Sequence, residues 1–140
     1  MAENEPKKSN YLPLWFYVAD AASGGTDTEM SIAGEATAAD CPQQPIPWAG
    51  SIVGMSLQLE AAVGAGTATI YPTINGVTAA SALVLDAVTN TQYTAAAWRR
   101  HLYPFTKNQR IGAQYTTTAT WTAGPTQSLV ACVWVHVEEN

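Results

Sequence analysis

Cys132, His136 and Glu138 are the residues whose types come nearest to a catalytic set. In an extended strand they share one face with Trp134, because side chains repeat every two residues. A thiol, an imidazole and a carboxylate invite the reading of nucleophile, base and orienting acid. The spacing denies it: four residues along a strand span about 13 Å, too far for a hydrogen bond between Cys132 and His136. The chain has no G-x-S-x-G nucleophile elbow and no Gly-rich phosphate loop. Asp20, Asp27, Glu29, Glu35 and Asp40 are scattered and follow neither a calcium-loop nor a glycosidase pattern, so they read as solvated loop charges. His101 and His136 show no ligand spacing with Cys41 or Cys132. A disulfide between the two cysteines is geometrically open, with two free thiols the preferred reading. The expectation is a protein with no catalytic residues, no cofactor and no metal.

The chemically most varied stretch is WRRHLYP, Trp98 to Pro104, where Trp98, Arg99, Arg100, His101 and Tyr103 stand together. Arginine and aromatics with little lysine are the composition of a protein interface. The alternative is a solvated loop whose arginine stems lie along apolar surface. Five tryptophans, Trp15, Trp48, Trp98, Trp121 and Trp134, invite carbohydrate stacking, although core or interface packing is preferred for most of them. Eleven acidic residues against six basic ones give a net charge of −5, which offers nonspecific nucleic-acid binding no support over the whole chain. Charged residues are 12% of the sequence, against about 25% in an average soluble domain. That shortage favours faces covered by copies of the chain or by a partner, although neutral Thr, Ser, Gln and Asn could also solvate a monomer. No basic start leads into an apolar run, and no apolar stretch has the length of a membrane span, so neither a signal peptide nor a membrane association is expected.

The elements that would position these residues read as strands. Val53, Met55, Leu57 and Leu59 alternate with Gly54, Ser56, Gln58 and Glu60, the period of a half-buried strand. Ala68, Ile70 and Ile74 alternate with Thr67, Thr69, Tyr71 and Thr73, and Asn75-Gly76 supplies the turn of a tight hairpin. Ser81–Val88, Thr91–Ala97 and Arg110–Thr120 read as further strands, with Ile111, Ala113 and Tyr115 on one side of the last. Ser128–Val137 is apolar on both faces, as a central strand requires. Thr28–Gly34 reads as a short strand, and Ala36–Trp48, with three prolines, as a long connection. Met1–Asn10 has the composition of a flexible tail. Tyr11–Val18, YLPLWFYV, is either a first strand in the core or an arm that docks on a neighbouring subunit; Pro13 suits an edge. The resulting expectation is an all-β, antiparallel jelly-roll β-sandwich over residues 21–140, preceded by a tail and extended N-terminal arm over 1–20.

Four pieces in order, AGSIVGMSLQLEAA (49–62), GTATIYPTINGV (66–77), LVLDAVTNTQYTAA (83–96) and QRIGAQYTTTATW (109–121), resemble a jelly-roll module of tailed-phage virion proteins. The resemblance spans Pro47 to Val137. It departs from the family at Thr106–Gln109, where an acidic turn is usual, and at Pro72, which replaces a branched apolar residue. That module is similar to the trimeric jelly roll of the tumour-necrosis-factor and complement type, used in head decoration proteins and fibres. The resemblance implies a noncatalytic capsid decoration (cement) protein, a homotrimer on the capsid exterior bound to the major capsid protein. From the composition of the two aromatic stretches, the expected capsid or subunit interface comprises Tyr11, Leu12, Leu14, Trp15, Phe16, Trp98, Arg99, Arg100, His101 and Tyr103, with Tyr115 and Trp134 as candidates for the trimer core. The alternative is a fibre or receptor-binding head that binds host surface glycans. A cytokine-like ligand would need a secretory signal.

Overall fold

The computed structural model describes residues 9–32, 43–125 and 127–138. Cys41, the tail through residue 8 and most of the Pro-rich connection lie outside the described residues. Twelve strands are formed among the described residues: β1 Ser9–Val18, β2 Thr28–Glu29, β3 Ser31–Ile32, β4 Gln43–Pro45, β5 Ala49–Leu59, β6 Thr67–Ile74, β7 Val77–Thr78, β8 Leu83–Asp86, β9 Tyr93–Ala97, β10 Tyr103–Phe105, β11 Arg110–Thr117 and β12 Leu129–Glu138. They make two antiparallel six-stranded sheets. In sheet A the order is β10-β5-β12-β1-β3, with β9 also on β5; in sheet B it is β2-β11-β6-β7, with β4 on β11 and β8 on β6. The protein is an all-β sandwich.

The period-two pattern explains which side chains fill the space between the sheets. Leu129, Ala131, Val133, Val135 and Val137 of β12 are all fully buried and face Met55, Leu57 and Leu59 of the same sheet and Ala68, Ile70, Ile111 and Ala113 of the other. Fully burying one such aliphatic side chain contributes about 1.5–3 kcal/mol, so this layer dominates the fold's stability. The alternation expected from Val53 changes at one point. Trp134 pairs with Gly54 but Val135 pairs with Ile52, so Val53 is a bulged residue without a partner on β12. The bulge turns Ile52 inward, where it is fully buried, and leaves Val53 on the outer face.

The Asn75-Gly76 turn forms as its sequence dictates, with both φ angles positive at 52° and 81°. Asp86 accepts hydrogen bonds from the backbone N–H groups of Val88 and Thr89 at 2.7 and 2.6 Å, which closes the turn after β8 and holds its carboxyl below the usual range. The short strand expected at Thr28–Gly34 is two: β2 pairs with β11 in sheet B and β3 with β1 in sheet A. Met30, between them, is fully buried where the chain crosses from one sheet to the other.

Tyr11–Val18 is an integral strand of its own sheet, paired with β12 from Ser9↔Glu138 to Val18↔Leu129. Ten continuous pairs hold it. On its other side β3 pairs with it at Phe16 and Tyr17.

Candidate functional site: the outer face of sheet A

Register places the outward side chains of sheet A in rows. One runs Trp15, Cys132, Ser56, Ala95; its neighbours run Tyr17, Val130, Gln58, Tyr93 and Pro13, Trp134, Gly54, Ala97. The floor is made of small residues, while Trp15 (50% exposed), Tyr93 (74%), Trp134 (38%) and Tyr11 (58%) stand above it. Two shallow grooves result. One is lined by Trp15, Ser56, Gln58, Tyr93, Ala95 and Val130, and the other by Tyr11, Val53, Gly54, Ala95, Ala97 and Trp134. The three rows contain no charged residue.

Charge gathers at one end of this face. His136 is buried against Tyr11, with ring centroids 5.1 Å apart in an edge arrangement, and its Nε2 lies 3.4 Å from Arg100 Nη1. Burial, and then the Arg100 charge, push the imidazole below its ordinary value. His101, in the left-handed region at φ 68°, donates its backbone N–H to Ser51 Oγ and sets its ring nitrogen 3.5 Å from Glu138 Oε1. Trp98 and Tyr103 meet edge to face at 5.5 Å and pack against the core, bracing the loop between β9 and β10. The structure therefore brings Tyr11 and the WRRHLYP loop together, with His136 as the link.

The expected interface residues separate by burial. Tyr11, Trp15, Arg99, Arg100 and His101 are exposed; Leu12, Leu14, Trp98 and Tyr103 are half-buried against the core. Phe16 is fully buried, because its position on β1 points between the sheets, and it belongs to the core rather than to an interface. Tyr115 is likewise corrected: it lies on the inner face of β11 with Ile111 and Ala113 and is buried within one chain, so it cannot form the centre of a trimer. Trp134, the other trimer-core candidate, is on the outer face. Of the five tryptophans only Trp121 is fully buried, while Trp15, Trp48 and Trp134 are exposed in the single chain.

Cys132 and His136 stand on the same outer face, two rows apart. Burial beside Trp15 pushes the Cys132 thiol up to about 11, where it is protonated and a poor nucleophile. Cys132 is a free thiol in the structure. No group of three or more His, Cys, Asp or Glu residues is arranged around a common point among the described residues.

Sequence reading missed Val53, Tyr93, Ala95, Ala97 and Val130 as parts of this face. The alternation of Tyr93, Ala95 and Ala97 was visible, but not which strand they would join. Compared with protein-family models and with curated proteins, the chain matches none.

Proposed function

We propose that this chain is a noncatalytic virion protein, a head decoration protein of a tailed phage that assembles as a homotrimer on the capsid exterior and stabilises the shell. The observation that carries the assembly part is the aromatic-studded outer face of sheet A, whose three rows hold no charged residue. Four strands at about 4.8 Å spacing and up to ten residues at about 3.4 Å make a face of at most roughly 650 Å². A standard interface takes about 800 Å² from each partner, so this face is close to the right size. The strand order, with the first strand beside the last and β5 beyond it, supports a jelly-roll reading. The phage part rests on the sequence resemblance alone. Such a trimer would act mechanically: it bridges coat subunits, and many weak contacts to the major capsid protein act together.

Light scattering during size exclusion tests the assembly. The expected mass is three chains, falling to one in Trp15→Glu and Trp134→Glu with the fold retained by circular dichroism. A monomeric wild type that also fails to bind phage capsids would reject the proposal.

A second reading has one specific observation behind it. Trp15 and Tyr93 stand exposed around a groove floored by Ser56 and Gln58, an arrangement that could stack and hydrogen-bond a sugar ring. A fibre or receptor-binding domain should then retain glycans on an array and lose them in Tyr93→Ala; a decoration protein should bind its capsid and no glycan.

A further inference from the structure

The opposite side of the sandwich presents a different problem of chemistry. On the outer face of sheet B, register sets Gln43, Gly112 and Thr73 side by side on β4, β11 and β6, with Glu29, Gln114 and Tyr71 in the next row. Gly112 has no side chain, so no β11 side chain stands between Gln43 and Thr73 in that row. Gln114 Nε2 donates to Glu29 Oε1 at 3.1 Å and reaches the Gly76 carbonyl at 3.5 Å; Gln43 Nε2 donates to the same Glu29 oxygen at 3.3 Å. These bonds engage both amide nitrogens with Glu29 Oε1. Glu29 Oε2, Gln43 Oε1 and Thr73 Oγ1 are all buried without a hydrogen-bond partner, and Thr73 is fully buried. Two of the three can only accept. Unpartnered buried acceptors are costly, and a carboxylate oxygen most of all. Arg110 lies on the same face but is exposed, and no ion pair joins it to Glu29.

We infer that this cluster is a cation site, in which Glu29, Gln43, Thr73 and the Gly76 carbonyl present oxygen ligands to Ca²⁺. A carboxylate, an amide oxygen, a hydroxyl and a backbone carbonyl form the mixed, neutral-rich oxygen set that Ca²⁺ accepts; Mg²⁺ demands a stricter octahedron and keeps its water. A single carboxylate places the affinity in the weak range, about 10⁻⁴ to 10⁻³ M. The ion would tie β2, β4 and the β6–β7 turn to β11.

The test uses the full chain stripped with chelator. Adding Ca²⁺ to about ten times the dissociation constant should raise the melting temperature by about 3–5 °C, and Tb³⁺ should luminesce on excitation of tyrosine, since Tyr71 stands in the adjoining row. Glu29→Gln and the near-isosteric Thr73→Val should each lose most of both responses, whatever their own starting stability. No thermal shift in the wild type, an equal shift with Mg²⁺, or an undiminished shift in both variants would overturn the site.

Discussion

Trp15 and Phe16 are neighbours in sequence with opposite roles, because consecutive strand residues point to opposite faces. Phe16→Ala removes a fully buried ring and should cost about 3–5 kcal/mol in denaturant unfolding. Trp15→Ala should cost far less but uncover its cross-strand partner Cys132. In a Cys41→Ser background, the native Cys132 thiol should react slowly with a disulfide reagent at about pH 8, and Trp15→Ala should speed it about tenfold or more. An unchanged rate would mean that Trp15 does not shield the thiol. His136 makes a prediction about pH. Its folded value is depressed by burial and by Arg100, against an opposing pull from Glu138, with His101 and Tyr11 also beside it. The unfolded chain therefore binds the proton first as pH falls. This contribution to stability is complete above about 6.5 and is lost as pH drops through the unfolded value towards the folded one. His136→Gln should flatten the stability curve in that window, measured by denaturant unfolding at a series of pH values.

At the scale of elements, the junction of β5 and β12 carries the molecule. Gly50 pairs with Val137, and a methyl group on Gly50 would overlap the backbone carbonyl of His136. Gly50→Ala must push the two strands apart where no flexible side chain can yield, and should cost about 1–3 kcal/mol, read as a lower denaturation midpoint. The bulge at Val53 belongs to the same junction. It reconciles an inward Ile52 with an inward Met55, two residues whose odd separation no regular strand could place on one face. Nothing local in GSIVGM marks it, since the extra residue is defined only by the partner strand.

For the whole molecule, the two outer faces differ in kind: sheet A offers aromatic rings over small residues with charge at one end only, sheet B a buried polar cluster. If sheet A is the association face, assembly is driven by apolar burial and its mass should hold from about 0.05 to 0.5 M salt; dissociation at high salt would point instead to the Arg100, His101 and Glu138 end. The chain's own pattern was enough for the all-β class, for the inward sets on β6, β11 and β12, for the Asn75-Gly76 turn, and for β12 as a central strand. Those features depend on alternation and φ preference, which are local. Which strands would be neighbours was not local. Only pairing across the chain put Tyr11 on His136, Trp15 over Cys132, and Glu29 beside Gln43, Gln114 and Gly76. The same pairing made Tyr115 core and Trp134 surface, because a period of two tells which residues share a face but not whether that face meets the other sheet or the outside.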